Sequence, residues 1–172
     1  RKDGKIVDMD GVSPLEFAIQ SGSYYIVVKH RNHLAIMTLG QVTLSSTPTT
    51  VDFTSGTLPT YGTDAMEQIN GRSCMWAGDA NFNGTLKYTG TNNDRDPILS
   101  AIGGSVSTNI AIGYHPEDIN MDGKVMYTGA RNDRDMILSN IGGIIPTNIA
   151  LGYHPEDINM DGKVMYTGAR ND

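Results

Sequence analysis

Residues 113–133 read GYHPEDINMDGKVMYTGARND, and residues 152–172 repeat those letters without a change. A more divergent copy, GDANFNGTLKYTGTNND, begins at Gly78. Asp79, Asp118 and Asp157 open equivalent segments, each 39 residues after the last. Similarity at a fixed period of this length marks tandem structural units. In the second copy Asp118, Asn120 and Asp122 occupy loop positions 1, 3 and 5, Gly123 follows where the backbone must turn sharply, and Lys124 can offer its carbonyl. The third copy repeats this with Asp157, Asn159, Asp161, Gly162 and Lys163, and the first has Asp79, Asn81, Asn83, Gly84 and Thr85. Calcium takes roughly six to eight hard oxygen ligands in flexible geometry, and a short loop can deliver them from alternate positions. Three loops in register therefore predict about three calcium ions.

An EF-hand closes such a loop with a bidentate carboxylate at its twelfth position. Here that position is Gly90, Gly129 or Gly168, and the next carboxylate comes four residues later, at Asp94, Asp133 or Asp172. These aspartates are the expected closing ligands, with Asn93, Asn132 and Asn171 as secondary candidates. The first loop has two carboxylates against three in the others, so its site is expected to be the weakest. Its Asn83-Gly84-Thr85 is also a glycosylation sequon, whose glycan would compete with ligation. The competing reading is a set of Asn/Asp/Gly turns that hold no metal.

After each complete loop the pattern becomes helical. Asp133 or Asn132 can cap a helix with Met136, Ile137, Leu138 and Ile141 on its apolar face, ended by Gly142-Gly143. The first copy predicts a helix over 94–102, with Pro97 in its opening turn and Gly103-Gly104 as the stop. The extended stretch at 148–151 is expected to cover a neighbouring helix. Asp96 and Asp135 are expected to cap or to face solvent.

Residues 1–55 read differently, with short β-rich runs at 5–7, 15–18, 24–30, 34–37, 42–44 and 50–53 and a hairpin at Arg31-Asn32. They predict part of an antiparallel β-sandwich whose first strands lie upstream or come from another subunit. Residues 56–73 read as a linker with one helical turn over 64–69. The expected class is thus α+β: a partial sandwich at 1–55, a linker at 56–73, and calcium-loop/short-helix repeats at 74–112, 113–151 and 152–172, the last stopping before its helix.

The formal charge of −6 argues against nucleic-acid binding, which wants a basic footprint, and fits cation binding. Cys74 is the single cysteine, which excludes an intrachain disulfide and is expected to be a small buried hydrophobe. No run reaches the roughly 18 apolar residues of a membrane span. The opening Arg-Lys-Asp reads as a mature or excised fragment. Cytosolic calcium is too low to fill weak sites, so the loops point to an extracellular or cell-surface location.

The loop-plus-helix unit resembles type I dockerin repeats. It is most similar to the variant Asp-x-Asn-x-Asp-Gly-x-x-x-Tyr-x-Gly-x-x-Asn-Asp repeats found near the C-termini of large secreted and surface proteins of bacteria. The run DGKIVDMDGVSPLEF…YYIVVKHRNHLAIMT resembles the β-domain that precedes them. The resemblance implies calcium-dependent folding and docking to a cohesin-type receptor. This chain departs from the dockerin pattern in its third loop, its glycine at position 12 and its longer period.

His30 and His33, three apart, are expected to point to different faces and to pack or sit at the surface rather than hold a metal. His115 and His154 are expected to pack in the connectors. Asp8 and Asp10 resemble half a calcium loop but read better as a turn. Tyr88, Tyr127 and Tyr166 recur, either as a ladder for sugars or as packing on each unit's own helix. No Ser/His/Asp ordering or glycine-rich phosphate loop is present, so the expectation is a non-enzyme. The expected role is a calcium-rigidified extracellular structural or assembly module, as a fibre or surface-layer subunit. Its competitors are a docking module for a receptor domain and a carbohydrate-binding appendage.

Overall fold

A computed structural model describes residue 1, residues 5–147 and the backbone of residues 149–151. Among these residues the strands form small antiparallel sheets, each of two strands, accompanied by two helices, so the class is α+β. The strands are β1 (Gly22–Tyr24), β2 (Val27–His30), β3 (His33–Met37), β4 (Val42–Leu44), β5 (Glu67–Ile69), β6 (Arg72–Cys74), β7 (Thr85–Lys87), β8 (Ile110–Ile112), β9 (Lys124–Met126) and β10 (Ile149–Leu151). The helices are α1 (Arg95–Ala101) and α2 (Asp133–Asn140).

Among the described residues, each element between residues 79 and 112 has a counterpart about 39 residues later: β7 and β9, α1 and α2, β8 and β10. Their pairing is reciprocal. β8, which leaves α1, pairs with β9 of the second loop, and β10, which leaves α2, pairs back onto β7 of the first. Even the register matches, Ile110 opposite Met126 and Ile149 opposite Lys87. The side chains follow the same rule. Thr128 Oγ1 donates to Ser107 O at 2.9 Å, and Thr89 Oγ1 to Pro146 O at 3.0 Å. Residues 79–151 thus close on themselves with pseudo-two-fold character.

The apolar residues of the two halves meet in one place. Ala80, Ile98, Ile102, Ile119, Val125 and Ile137 are buried together, and Leu86 and Ile141 join Leu34 in an adjoining cluster. Four of these are matched pairs at the repeat spacing: Ala80 with Ile119, Leu86 with Val125, Ile98 with Ile137, Ile102 with Ile141. Each short helix offers little apolar surface, so neither half can bury its face without the other. Leu34 comes from β3, so the N-terminal hairpin shares this core across the segment expected to be a linker.

Several expected elements differ. Residues 5–7, 15–18 and 50–53 are not strands; Leu15, Phe17 and Ile19 stay exposed, and β-propensity without a partner ladder makes no strand. The run at 24–30 is broken at Tyr25-Ile26, and its halves pair with different strands, β1 with β4 and β2 with β3. The helical turn expected over 64–69 is instead β5, paired with β6. Asn70 and Gly71 between them both have positive φ, 50° and 74°, as a two-residue primed hairpin turn demands. Cys74, expected to be buried, is half-buried at the end of β6.

Candidate functional site

The helix caps show how each loop is shut. Asn132 accepts a hydrogen bond from Asp135 N at 2.9 Å and is the N-cap of α2. Before α1, whose N-cap Asp94 makes no side-chain cap bond, Asn93 Oδ1 accepts from Asp96 N at 3.0 Å. Each cap asparagine also donates to a carboxylate in the first helical turn, Asp135 or Asp96, both exposed. With capping done by asparagine, the adjacent aspartate is released to turn into the loop.

Asp94 and Asp133 reach back about one loop length. Asp133 Oδ1 accepts from Ile119 N at 2.8 Å and Asn120 N at 3.2 Å, and its Oδ2 accepts from Met126 N at 2.8 Å. Asp94 repeats this with Ala80 N at 3.0 Å, Asn81 N at 3.4 Å and Lys87 N at 2.7 Å. Both carboxylates are fully buried. At the other end of the loop Asp118 Oδ1 and Oδ2 accept from Asp122 N at 3.1 Å and Gly123 N at 3.0 Å. Asp79 does so from Asn83 N and Gly84 N, each at 3.0 Å. Both position-1 aspartates are buried as well.

The remaining expected ligands complete the loops. Asn120 Oδ1 accepts from Asp122 N at 3.0 Å, and its amide donates to Arg131 O at 2.8 Å. Asn81 makes the matching pair to Asn83 N and Asn92 O, at 3.1 and 3.0 Å. Asp122 is exposed and accepts from Lys124 N at 3.1 Å, while Asn83 accepts from Thr85 N at 2.9 Å. Thr85 and Lys124 open β7 and β9. Asp157, Asn159, Asp161, Lys163 and Asp172 lie outside the described residues. The amide nitrogen of Asn83, the atom a glycan would take, donates to Asn92 O at 3.2 Å.

Gly123 has φ 87° and Gly129 φ 102°, conformations that side chains rarely adopt. The second value fits a position 12 without a carboxylate: a side chain there would be strained, and the aspartate that reaches back comes four residues later.

The buried carboxylates carry an electrostatic burden. Burial pushes Asp94 up to about 7, opposed by its backbone donors and reinforced by the Asp79 carboxylate. Burial likewise raises Asp133 to about 6, with Asp118 adding to the effect. Each loop therefore gathers two carboxylates, flanked by amide and backbone oxygens. No group of three or more His, Cys, Asp or Glu side chains comes together among the described residues. The donor set is acceptor-only oxygen, the chemistry that suits a hard cation.

Other candidates resolve simply. Asp10 accepts from Val12 N and Ser13 N, both at 2.8 Å, which makes the Asp8 to Ser13 stretch a side-chain-capped turn. His30 and His33, expected on different faces, are direct cross-strand partners with their Nδ1 atoms 2.8 Å apart. The two-residue turn between them sets them opposite each other, which spacing along a single strand does not reveal. Burial drives His33 down to about 4, with His30 and Arg31 adding repulsion. Tyr88 and Tyr127 pack against the core, beneath Arg95 and Arg134 of their own helices. Beside the first loop is an open depression lined by Asn81, Asn83, Asn92, Asn93 and Asp96.

No helix among the described residues is long and apolar enough to cross a membrane. Comparisons of the chain with protein-family models, curated proteins and solved structures give no match.

Proposed function

We propose that the loops at 79–94 and 118–133 bind calcium, and that the protein is an extracellular structural or assembly module made rigid by it. One observation carries this reading: each loop buries two facing aspartates, Asp79 with Asp94 and Asp118 with Asp133, between the two ends of one loop. Two carboxylates in a low-dielectric neck repel, and a divalent cation converts that repulsion into cohesion. Asp118, Asn120, Asp122, Asp133 and the Lys124 carbonyl would hold the ion in the second loop; Asp79, Asn81, Asn83, Asp94 and the Thr85 carbonyl would hold it in the first. The identical sequence at 157–172 makes a third site the natural extension, and the poorer charge of the first loop makes it the weakest.

The finer architecture belongs to the same proposal. Residues 74–172 are tandem dockerin-like repeats, and residues 1–55 are part of a β-sandwich. The first is supported by the matched elements at a 39-residue offset, the second by the antiparallel pairs β1·β4 and β2·β3. The role is binding and assembly rather than catalysis, with protein as the partner, in a filament or surface layer outside the cell. A dockerin-like attachment module is the second reading, and electron microscopy separates them: filaments support the first, discrete particles the second. The amide groups of Asn81 and Asn83 beside the depression each already give one donor to Asn92 O, which leaves fewer for a sugar there.

The deciding experiment is a thermal melt with and without chelator. Calcium is expected to raise the melting temperature by several degrees. An unchanged melting temperature in excess chelator sinks the proposal.

A further inference from the structure

The pseudo-two-fold relation of the loops is broken at one point, where the β2–β3 hairpin docks. Each loop begins beside an equivalent carbonyl, Ala77 O in the first and Pro116 O in the second. Asn140 Nδ2 donates to Ala77 O at 2.5 Å. The residue matching Asn140 in the other half is Ala101, which has no side-chain donor. Asn32, from the hairpin tip, takes its place: its fully buried amide donates to Pro116 O at 2.9 Å and Asp118 O at 2.7 Å. The tip is also held to the first loop, by Gly78 N donating to Asn32 O at 2.7 Å.

This docking delivers Arg31 to the second loop. Its Nη2 lies 3.7 Å from Asp118 Oδ2, and the guanidinium sits 3.9 Å from the centre of the Tyr114 ring. Its Nε and Nη1 are buried without a hydrogen-bond partner. A guanidinium held this way is well placed for charge and poorly satisfied in its hydrogen bonds.

We propose that Arg31 is a displaceable counter-ion for Asp118, so that it sets the calcium affinity of the second loop and couples that loop to the N-terminal hairpin. The inference rests on the reading of the loops as calcium sites. In the calcium-free protein the guanidinium offsets the position-1 carboxylate. With a divalent ion held at Asp118, Arg31 would be repelled and would turn toward solvent, where its unpartnered Nε and Nη1 would find water. Arg31 is thus an affinity-determining residue that is not itself a ligand.

The test is a calcium titration followed by the amide resonances of Gly84 and Gly123, one in each loop, in wild type, Arg31→Met and Arg31→Lys. Removing one positive charge a few ångströms from a divalent ion is expected to tighten binding at Gly123 roughly tenfold, with Gly84 unmoved. Arg31→Lys keeps the charge and is expected to bind as wild type does. Arg31→Met is also expected to lower the melting temperature more in chelator than in saturating calcium, because only there does Asp118 lose its counter-charge. Unchanged or weaker binding at Gly123 in Arg31→Met, or equal melting losses in both conditions, makes Arg31 a packing residue and overturns the inference. If calcium moves neither glycine in any variant, the calcium reading falls with it.

Discussion

Replacing Asp133 by alanine tests the loop geometry most directly. The wild-type carboxylate is fully buried and accepts from three backbone N–H groups, those of Ile119, Asn120 and Met126. Alanine leaves all three without that acceptor. Leaving a buried donor unsatisfied costs about 1–3 kcal/mol. The Asn120 bond is the longest and Asn120 is only half-buried, so water can serve it cheaply. Met126 is half-buried as well, so one full loss at Ile119 and two discounted ones amount to about 2–5 kcal/mol, before any metal is considered. Relief of the burial of the charged carboxylate, and secondarily of its repulsion with Asp118, returns part of this, which places the expectation near the lower end. Urea denaturation at neutral pH in excess chelator measures it. In calcium at about a hundred times its dissociation constant, wild type gains roughly 2.7 kcal/mol that the variant cannot, so the gap widens. A variant within about 1 kcal/mol of wild type in chelator refutes the idea that Asp133 ties the loop together through those three amides. An equal gap with and without calcium refutes the assignment of Asp133 as a ligand.

Three further outcomes follow from the same geometry. Asp122→Ala removes an exposed carboxylate that accepts only from Lys124 N in the neighbouring turn; it is expected to leave stability in chelator within about 0.5 kcal/mol of wild type yet to weaken calcium binding at the second loop, as calorimetry would show. Because the folded-state value of Asp94 is raised to about 7 from 3.8, its contribution to calcium-free stability is fully present below about pH 4 and is lost as pH rises through 7, at up to about 1.4 kcal/mol per pH unit. Asp94→Asn should remove that slope in chelator melts at pH 5 and pH 7.5, and identical slopes in the two proteins would contradict it. Ile98→Ala and Ile137→Ala, fully buried and matched in the two halves, should each cost about 2–5 kcal/mol; because they share one cluster, the double variant should fall short of the sum, and strict additivity would mean that the halves have separate cores.

The repeat period, the loops, the glycine stops and both helices were legible because each rests on local chemistry. Asp at position 1, Gly at position 6 and an asparagine cap carry their roles wherever the loop sits. That Asp94 and Asp133 fold back onto their own loops fits the pattern too, since position 12 is glycine and a carboxylate follows four residues on. The strand pairing was not. β7, β8, β9 and β10 are three residues each, and nothing within Thr85–Lys87 announces that its partner lies at Ile149–Leu151. The hairpin of β5 and β6 carries a local signal in the Asn70-Gly71 turn, but the residues before it have a helical pattern that competes with it. Nothing local marks Arg31 either: its surroundings come from Asp118 and Tyr114, more than eighty residues away.

The back-pairing of β10 onto β7 also sets how the unit answers to tension. Thr85, where the chain arrives from the first loop, lies opposite Leu151, where it departs. A pull applied before residue 79 and after residue 151 therefore peels the two strands apart from one shared end, a rung at a time, rather than sliding them in shear. Peeling demands little force per rung. Ahead of that seam, however, stands the loop in which Asp94 grips the amides of Ala80, Asn81 and Lys87. Whatever tightens that grip would hold the seam closed against such a pull.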